Sequence, residues 1–187
     1  HWLACQHESF YAQLSRGSRA LDIRLMYDAD AQGLGKFCIH HNGYRNGRTL
    51  GHLVTDVEKF LRDNPNEFII LDFHELKEDQ FDFANFNSMM MLFLGHRLIP
   101  GKNQSLSLHQ LKKISSVQRI LVAAPWRAAL DQNVFVREIE HKWSGSSITD
   151  TAQLEMHIIN VLKYPPGKWA PWSLSATSYS GLGGPVD

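Results

Sequence analysis

The chain has 187 residues, of which 43% are hydrophobic and 20% charged, which is ordinary for a globular soluble protein with a sizeable core. Its 19 basic and 19 acidic residues give zero formal net charge, so composition does not support a nucleic-acid binder that relies on a strong positive field. The longest apolar run, residues 89–94, is too short to span a bilayer, and no transmembrane segment is expected. We therefore expect a single domain over residues 1–187 that binds no nucleic acid. The sequence gives no reason to expect a stable dimer, so we expect a monomer.

The first half of the chain alternates predicted strands with turn or helical sequence. Segments 20–25 and 36–40 are predicted strands, joined by a turn-rich connection with two glycines over 28–35. A helix is predicted to begin at Leu50 after the cap Thr49 and to end at Asn64-Pro65. Its apolar positions have the spacing of one helix face: Leu53, Val54, Val57, Phe60 and Leu61.

The middle of the chain continues the alternation. Residues 68–73 form a continuous apolar run, typical of a strand buried on both faces. Residues 81–98 are predicted to be mostly helical, 107–113 a short helix and 119–124 a further strand ended by Pro125. The side chains expected to face inward from the longer helix are Phe83, Phe86, Met90, Phe93 and Leu94.

The last part of the chain is predicted to add one helix and one strand. Thr149-Asp150 can cap a helix that ends at residues 165–167, and residues 172–177 are a candidate fifth strand before a Gly-rich tail at 180–185. Strands that alternate with helices predict a parallel sheet. The pattern alone leaves an open sheet and part of a barrel as alternatives.

Charged side chains follow or end several of these strands. Asp22 and Arg24 are two residues apart on one strand, so both point to the same face. A structural ion pair is one interpretation, but parallel α/β folds bind ligands at the carboxyl ends of strands, where Arg24 offers a planar fork for a phosphate. Asp72 and His74 repeat this arrangement on a later strand.

The adjacent histidines His40 and His41 face opposite ways on an extended chain, so only one is expected to enter the site. We favour His41, because the following Asn42-Gly43 marks a turn where the strand opens to solvent. An imidazole there can protonate a leaving oxygen near neutral pH. The choice between His40 and His41 stays open at this point.

A metal site is the competing interpretation of these side chains. His41, Asp72, His74 and Glu75 are plausible ligands, but their spacing matches no metal motif. Arg24 in the same site would repel a cation. We therefore expect neither a metal nor another cofactor. Cys5 and Cys38 lack a zinc spacing and are better interpreted as buried thiols than as a bridge, and the compartment stays open, secretion and peripheral membrane attachment included.

Taken together, the segments resemble the X domain of phosphatidylinositol-specific phospholipase C, especially the metal-independent bacterial enzymes and the small animal X-domain proteins. The order and spacing match over about the first 75 residues and more weakly to about residue 175. The matching pattern is Gln13-Leu14-x-x-Gly17-x-Arg19-x-x-Asp22-x-Arg24, His41 near a glycine, Asp56-Val57-x-x-Phe60-Leu61 and Asn64-Pro65-x-Glu67-x-Ile69-Ile70.

The resemblance implies an α/β fold, a distorted (β/α) TIM-like barrel, and cleavage of phosphatidylinositol-type lipids at a membrane surface. The inositol 2-hydroxyl attacks phosphorus, diacylglycerol leaves and a cyclic inositol phosphate forms. By position, His41 is the expected general acid, Arg24 the phosphate ligand and Asp22 the carboxylate beside it. His74 is an expected contact for an inositol hydroxyl or the phosphate. Calcium-dependent relatives carry an acidic ligand at the Arg24 position, where arginine in effect replaces the cation.

The resemblance also marks departures. In the family, the general-base histidine lies on a strand that would come before residue 1, and the last strands of the barrel would follow Asp187. The barrel is therefore expected to be incomplete over residues 1–187. These residues alone are expected to have little or no activity. Two alternatives follow. One is a catalytically inactive module that binds inositol phosphates or membranes, and the other is a glycerophosphodiester phosphodiesterase, disfavoured because that family has acidic metal ligands where Arg24 stands.

Overall fold

A computed structural model describes residues 8–77, 79–145, 147–167 and 170–178, so Cys5 and the glycine-rich tail lie outside the described residues. By their contacts the residues form two compact units, 1–138 and 139–187. The single domain over residues 1–187 stays a prediction, and each unit is described by itself.

The first unit is built on a six-stranded sheet. Its strands are β1 (Ala20–Tyr27), β2 (Phe37–His41), β3 (Tyr44–Thr49), β4 (Ile69–Leu76), β5 (Ile120–Ala124) and β6 (Phe135–Arg137). They lie in the order β3-β2-β1-β4-β5-β6. Strands β1, β4, β5 and β6 pair in parallel, whereas β1 with β2 and β2 with β3 are antiparallel. Within the described part of this unit the sheet is open, with β3 and β6 at its edges.

Helices of the first unit begin at polar caps. The side-chain oxygens of Ser9 and Asp82 accept hydrogen bonds from backbone N–H groups three residues later, which satisfies donors in the first turn. The Thr49 N–H donates to Nδ1 of His52 at 3.0 Å, at the start predicted from the sequence. The helices are α1 (Phe10–Ser15), α2 (Leu50–Asp63), α3 (Phe83–Leu94) and α4 (Leu108–Ile114), with 3-10 turns at Gly33–Lys36, Gly95–Arg97 and Gly101–Asn103.

The second unit contains a two-stranded parallel sheet, β7 (Glu140–Lys142) with β8 (Trp172–Leu174), joined through helix α5 (Thr151–Lys163). Asp150 caps α5 as predicted, its Oδ1 accepting from the Gln153 N–H at 2.8 Å. The predicted fifth strand is thus present but ends at Leu174. It pairs with β7, a short strand that was not predicted from the sequence. Among the described residues, no helix combines the length and the apolar composition needed to cross a membrane.

The prediction of an all-parallel sheet is wrong for β2 and β3. Only residues 28–36 separate β1 from β2, and their regular structure is one 3-10 turn. A parallel return needs a crossover of about a dozen residues or more, so this short connection reverses the chain instead. The strand β3 follows a two-residue turn at Asn42 and Gly43, whose φ angles of 50° and 81° suit a hairpin turn of the primed type.

The hydrophobic core of the first unit lies between the sheet and α1, α2 and α3. Alternate residues of β1 enter it, Leu21, Ile23 and Leu25, which leaves Asp22 and Arg24 on the other face. Cys38 is a buried free thiol, and desolvation is the main cause that raises its pKa. The prediction that Phe93 faces inward is wrong, since 39% of it is exposed.

Phe86 on α3 is the centre of an aromatic cluster that joins the helix to the sheet. Its ring lies 5.1 Å from that of Phe73 and 5.5 Å from that of Phe37, and the residue is fully buried. We expect Phe86→Ala to lower the free energy of unfolding by about 3–5 kcal/mol, because the cavity left among these rings cannot collapse fully. Urea unfolding followed by fluorescence measures it.

The matched control for this substitution is Phe93→Ala on the same helix. Its ring is partly exposed, so the loss is expected to stay near 0.5 kcal/mol. Equal losses in the two variants would contradict the placement of Phe86 at the centre of the core.

Candidate active site

Asp22 and Arg24 form a bidentate pair on the sheet face opposite the core. Nε and Nη2 of Arg24 donate to the two carboxylate oxygens of Asp22 at 3.3 and 3.2 Å. Their side chains are 41% and 30% exposed, so the pair contributes little to stability. Its effect is to orient the guanidinium group, whose planar set of N–H donors suits an anionic ligand.

The hairpin of β2 and β3 brings the two histidines next to this pair. Because β1 and β2 are antiparallel with Leu25 opposite Ile39, the next residues along the two strands are Arg24 and His40. The His41 side chain, by contrast, is partly exposed and lines the same cavity as Arg24. The structure therefore places both imidazoles near the arginine but exposes only one of them.

The surroundings of His40 are those of a residue that supports the fold. Its side chain is fully buried, its Nδ1 accepts the Gly43 N–H at 3.2 Å, and its Nε2 lies 4.0 Å from a carboxylate oxygen of Glu75. Desolvation lowers the pKa of His40, with Lys77 and Arg24 acting in the same direction, while the Glu75 charge and a hydrogen bond with the Leu25 backbone oppose the shift. The imidazole is thus held neutral at the hairpin turn, where it fixes the backbone that follows His41.

This neutral, buried imidazole predicts a pH dependence of stability. The pKa of this histidine is lower in the folded than in the unfolded chain, so the unfolded chain binds a proton more readily. Protonation therefore shifts the equilibrium toward unfolding. Stability from this group is therefore complete above about pH 6.5, the ordinary pKa of a histidine side chain, and is lost as the pH falls below it toward the lowered pKa of the folded state. The slope is at most about 1.4 kcal/mol per pH unit.

Urea titrations between pH 7.5 and 5 measure this dependence in the wild type and in His40→Gln. We expect the variant to have a flatter slope whatever its absolute stability. The control is His109→Gln, which removes an exposed imidazole of α4 and should leave the slope unchanged. A wild-type slope that survives in His40→Gln would assign the proton uptake to another group.

Strand β4 brings Asp72 and His74 beside β1. Asp72 pairs in register with Asp22 and is 4% exposed, and beyond a register shift Glu75 is the partner of Arg24. Nδ1 of His74 lies 3.9 Å from a carboxylate oxygen of Asp72, which is ion-pair range but too long for a hydrogen bond. His74 is thus on the strand next to the Asp22–Arg24 pair, and its contact with a substrate stays a prediction.

A cavity of about 260 Å³ joins these elements. Three of the predicted residues, Asp22, Arg24 and His41, line it together, whereas His74 is not among its lining residues. Sequence reasoning missed the contribution of α1 and β3, although the Asn42-Gly43 dipeptide is the signal that could have predicted the hairpin. The remaining lining residues are Phe10, Gln13, Ile23, Ile39, His40, Asn46 and Arg48.

An α/β sheet thus carries a carboxylate-anchored arginine and a partly exposed imidazole in one cavity, a combination that could bind an anionic ester. The model of the family "Phosphatidylinositol-specific phospholipase C, X domain" matches residues 1–125. The chain belongs to this family.

Solved structures agree on the fold. A phosphatidylinositol-specific phospholipase C from Staphylococcus aureus carrying pentafluoro-phenylalanine matches with a TM-score of 0.66 at 17% identity, over 96% of this chain and 67% of that one. The Listeria monocytogenes enzyme matches with a TM-score of 0.53 at 17% identity, over 94% of this chain and 66% of that one. The predicted α/β fold of the TIM-barrel type, with a sheet that does not close in the described residues, is thereby confirmed.

Among curated proteins, the variant-surface-glycoprotein phospholipase C of Trypanosoma cruzi is 38% identical over 78 residues. These residues are 40% of this chain and 19% of the relative, so the match covers about a fifth of the relative's length.

Proposed function

We propose that this chain supplies the phosphate-binding and acid-donating part of a phospholipase C active site that cleaves the phosphodiester of phosphatidylinositol-type lipids at a membrane surface. The observation that carries the proposal is that Arg24, anchored by Asp22, and His41 line one cavity. The names of the relatives support the choice of a phospholipase C substrate.

In the proposed reaction the inositol 2-hydroxyl oxygen forms a bond to phosphorus and loses its proton to a general base, for which we assign no residue of this chain. Arg24 donates to the phosphoryl oxygens as negative charge grows on them. The bond from phosphorus to the diacylglycerol oxygen breaks, and His41 gives its proton to that oxygen. The products are diacylglycerol and a cyclic inositol phosphate.

His40 and His74 have different roles in this proposal. His40 is a positioning residue, since its fully buried ring accepts the Gly43 N–H and supports the turn after His41. His74, on the neighbouring strand beside Asp72, is proposed to contact an inositol hydroxyl or the phosphate.

The test uses the natural protein that contains this sequence, because the chain matches only part of its curated relative. Phosphatidylinositol vesicles are incubated with the protein in the presence of a chelator, and diacylglycerol is measured. Chelator-resistant release that collapses in His41→Ala supports the proposal. A correctly folded protein that is silent with and without calcium would leave an inositol-phosphate-binding module without turnover as the better account.

A further inference from the structure

The cavity beside Arg24 has one side-chain oxygen that the fold itself does not use. Among the described lining residues, the side chains of Gln13, Asp22 and Asn46 carry oxygen atoms. Both carboxylate oxygens of Asp22 accept hydrogen bonds from Arg24, and Oδ1 of Asn46 accepts the Arg48 N–H at 3.0 Å. This leaves Oε1 of Gln13, which accepts no hydrogen bond from any described residue.

The orientation of the Gln13 amide follows from the partner of its nitrogen. Nε2 of Gln13 donates to the backbone oxygen of Glu8 at 3.2 Å. Because a carbonyl oxygen can only accept, the amide nitrogen must face Glu8 and the amide oxygen must lie on the other side. The side chain is half-buried and lines the cavity, so Oε1 is available to a donor that binds there.

Helix α1, which carries Gln13, is fixed against α2. The Tyr11 N–H donates to a carboxylate oxygen of Asp56 at 3.1 Å, and the Tyr11 hydroxyl donates to a carboxylate oxygen of Asp63 at 2.8 Å. The amide of Gln13 is therefore held in place at the cavity before a ligand binds. A group that is already ordered loses less conformational entropy on binding, so its contact contributes more to affinity.

The chemistry of an amide oxygen selects the part of a phosphoester that it can bind. A phosphodiester anion presents only acceptors, whereas each hydroxyl of a polyol headgroup has a proton to donate. Oε1 of Gln13 therefore suits a hydroxyl, and the guanidinium of Arg24 suits the phosphate. Both groups line the same cavity, so one headgroup can contact them together.

We propose that Gln13 is a specificity-determining residue whose Oε1 accepts a hydrogen bond from one ring hydroxyl of the inositol headgroup while Arg24 binds the phosphate. This inference rests on the proposed function and deepens it, because it names a residue that distinguishes inositol from a headgroup without that hydroxyl. Loss of the contact should weaken binding by about 3- to 10-fold, the range for one hydrogen bond between uncharged groups.

The experiment is a thermodynamic cycle that measures binding without turnover. Titration calorimetry on the natural protein that contains this sequence compares inositol 1-phosphate with its monodeoxy analogues, one ring position at a time. At one position the deoxy analogue should bind the wild type about 3- to 10-fold more weakly than inositol 1-phosphate. Gln13→Met, which removes the amide oxygen at similar volume, should abolish the loss at that position alone.

Two further variants separate the contact from a structural effect. Gln13→Glu keeps an acceptor oxygen, so the loss at that ring position should persist even though the added negative charge weakens the binding of every phosphate alike. The matched control is Gln32→Met, since Gln32 is exposed in the connection between β1 and β2, outside the cavity. A purely structural role of Gln13, through its bond to Glu8, predicts that Gln13→Met weakens all analogues by one common factor.

Two results would overturn the contact: independent effects of Gln13→Met and of every deoxy substitution, or a wild type that does not bind inositol 1-phosphate. Failure of the proposed function is visible separately, in the vesicle assay. A wild type that cleaves no phosphatidylinositol but shows the coupling at one ring position retains the Gln13 contact and loses the enzymatic role. A wild type that cleaves the lipid without this coupling retains the enzymatic role and loses the contact.

Discussion

Replacing His41 by asparagine in the natural protein should lower the rate of phosphatidylinositol cleavage by about 100- to 10,000-fold, the range expected for loss of a general acid. The imidazole is the exposed one of the two adjacent histidines and shares the cavity with the arginine that would hold the phosphate. Asparagine keeps a polar side chain of similar length but cannot act as an acid near neutral pH.

Two substrates with different leaving groups distinguish loss of the general acid from structural damage. Diacylglycerol leaves as an alkoxide that needs a proton, whereas a p-nitrophenyl inositol phosphate releases a phenoxide that is stable without one. We expect the His41→Asn defect to shrink by at least about tenfold on the aryl substrate, because the missing proton transfer contributes little there. An equal defect on both substrates would remove His41 from the general-acid role.

The matched control is His109→Asn on α4, an exposed histidine outside the cavity, for which both rates should stay near the wild-type values. His40→Gln is informative in a different way. Because His40 supports the turn after His41 through the Gly43 N–H, its loss should lower both rates by a similar factor, without the leaving-group dependence.

Much of the architecture was predictable because each element carries a local signal. The cap at Thr49 and the stop at Asn64-Pro65 fixed α2, and the apolar run before Asp72 predicted β4, which begins one residue later than expected and extends to Leu76. Asp22 and Arg24 were placed on one face by strand periodicity alone, and the structure shows them there.

Other features depend on pairing that local sequence does not encode. The polarity of β2 follows from the short connection before it, and β3 has few apolar residues because it is an exposed edge strand. Which of His40 and His41 is buried also depends on tertiary structure. The alternation of side chains along a strand predicts that the two point to opposite faces, but it does not identify the buried face. Arg48 was missed because only a register shift in the pairing of β2 with β3 and the packing of α1 bring it to the cavity.

Replacing Arg24 by lysine should reduce kcat/KM for phosphatidylinositol by about 100- to 1,000-fold although the charge is kept. The observed arginine is held through two N–H donors by both oxygens of Asp22, a planar arrangement that an ammonium group cannot reproduce. Loss of an interaction made chiefly in the transition state should lower kcat and kcat/KM together, with little change in KM.

The Asp22–Arg24 pair allows function and stability to be separated. Because both side chains are substantially exposed, Arg24→Lys and Asp22→Asn should each change the free energy of unfolding by less than about 1 kcal/mol. Asp22→Asn should still lower kcat/KM, since an unanchored guanidinium must be oriented by the substrate itself. The double variant should then lose less than the product of the two single effects, because both act on one fork. Strictly multiplicative losses would show that Asp22 acts on the substrate independently of Arg24.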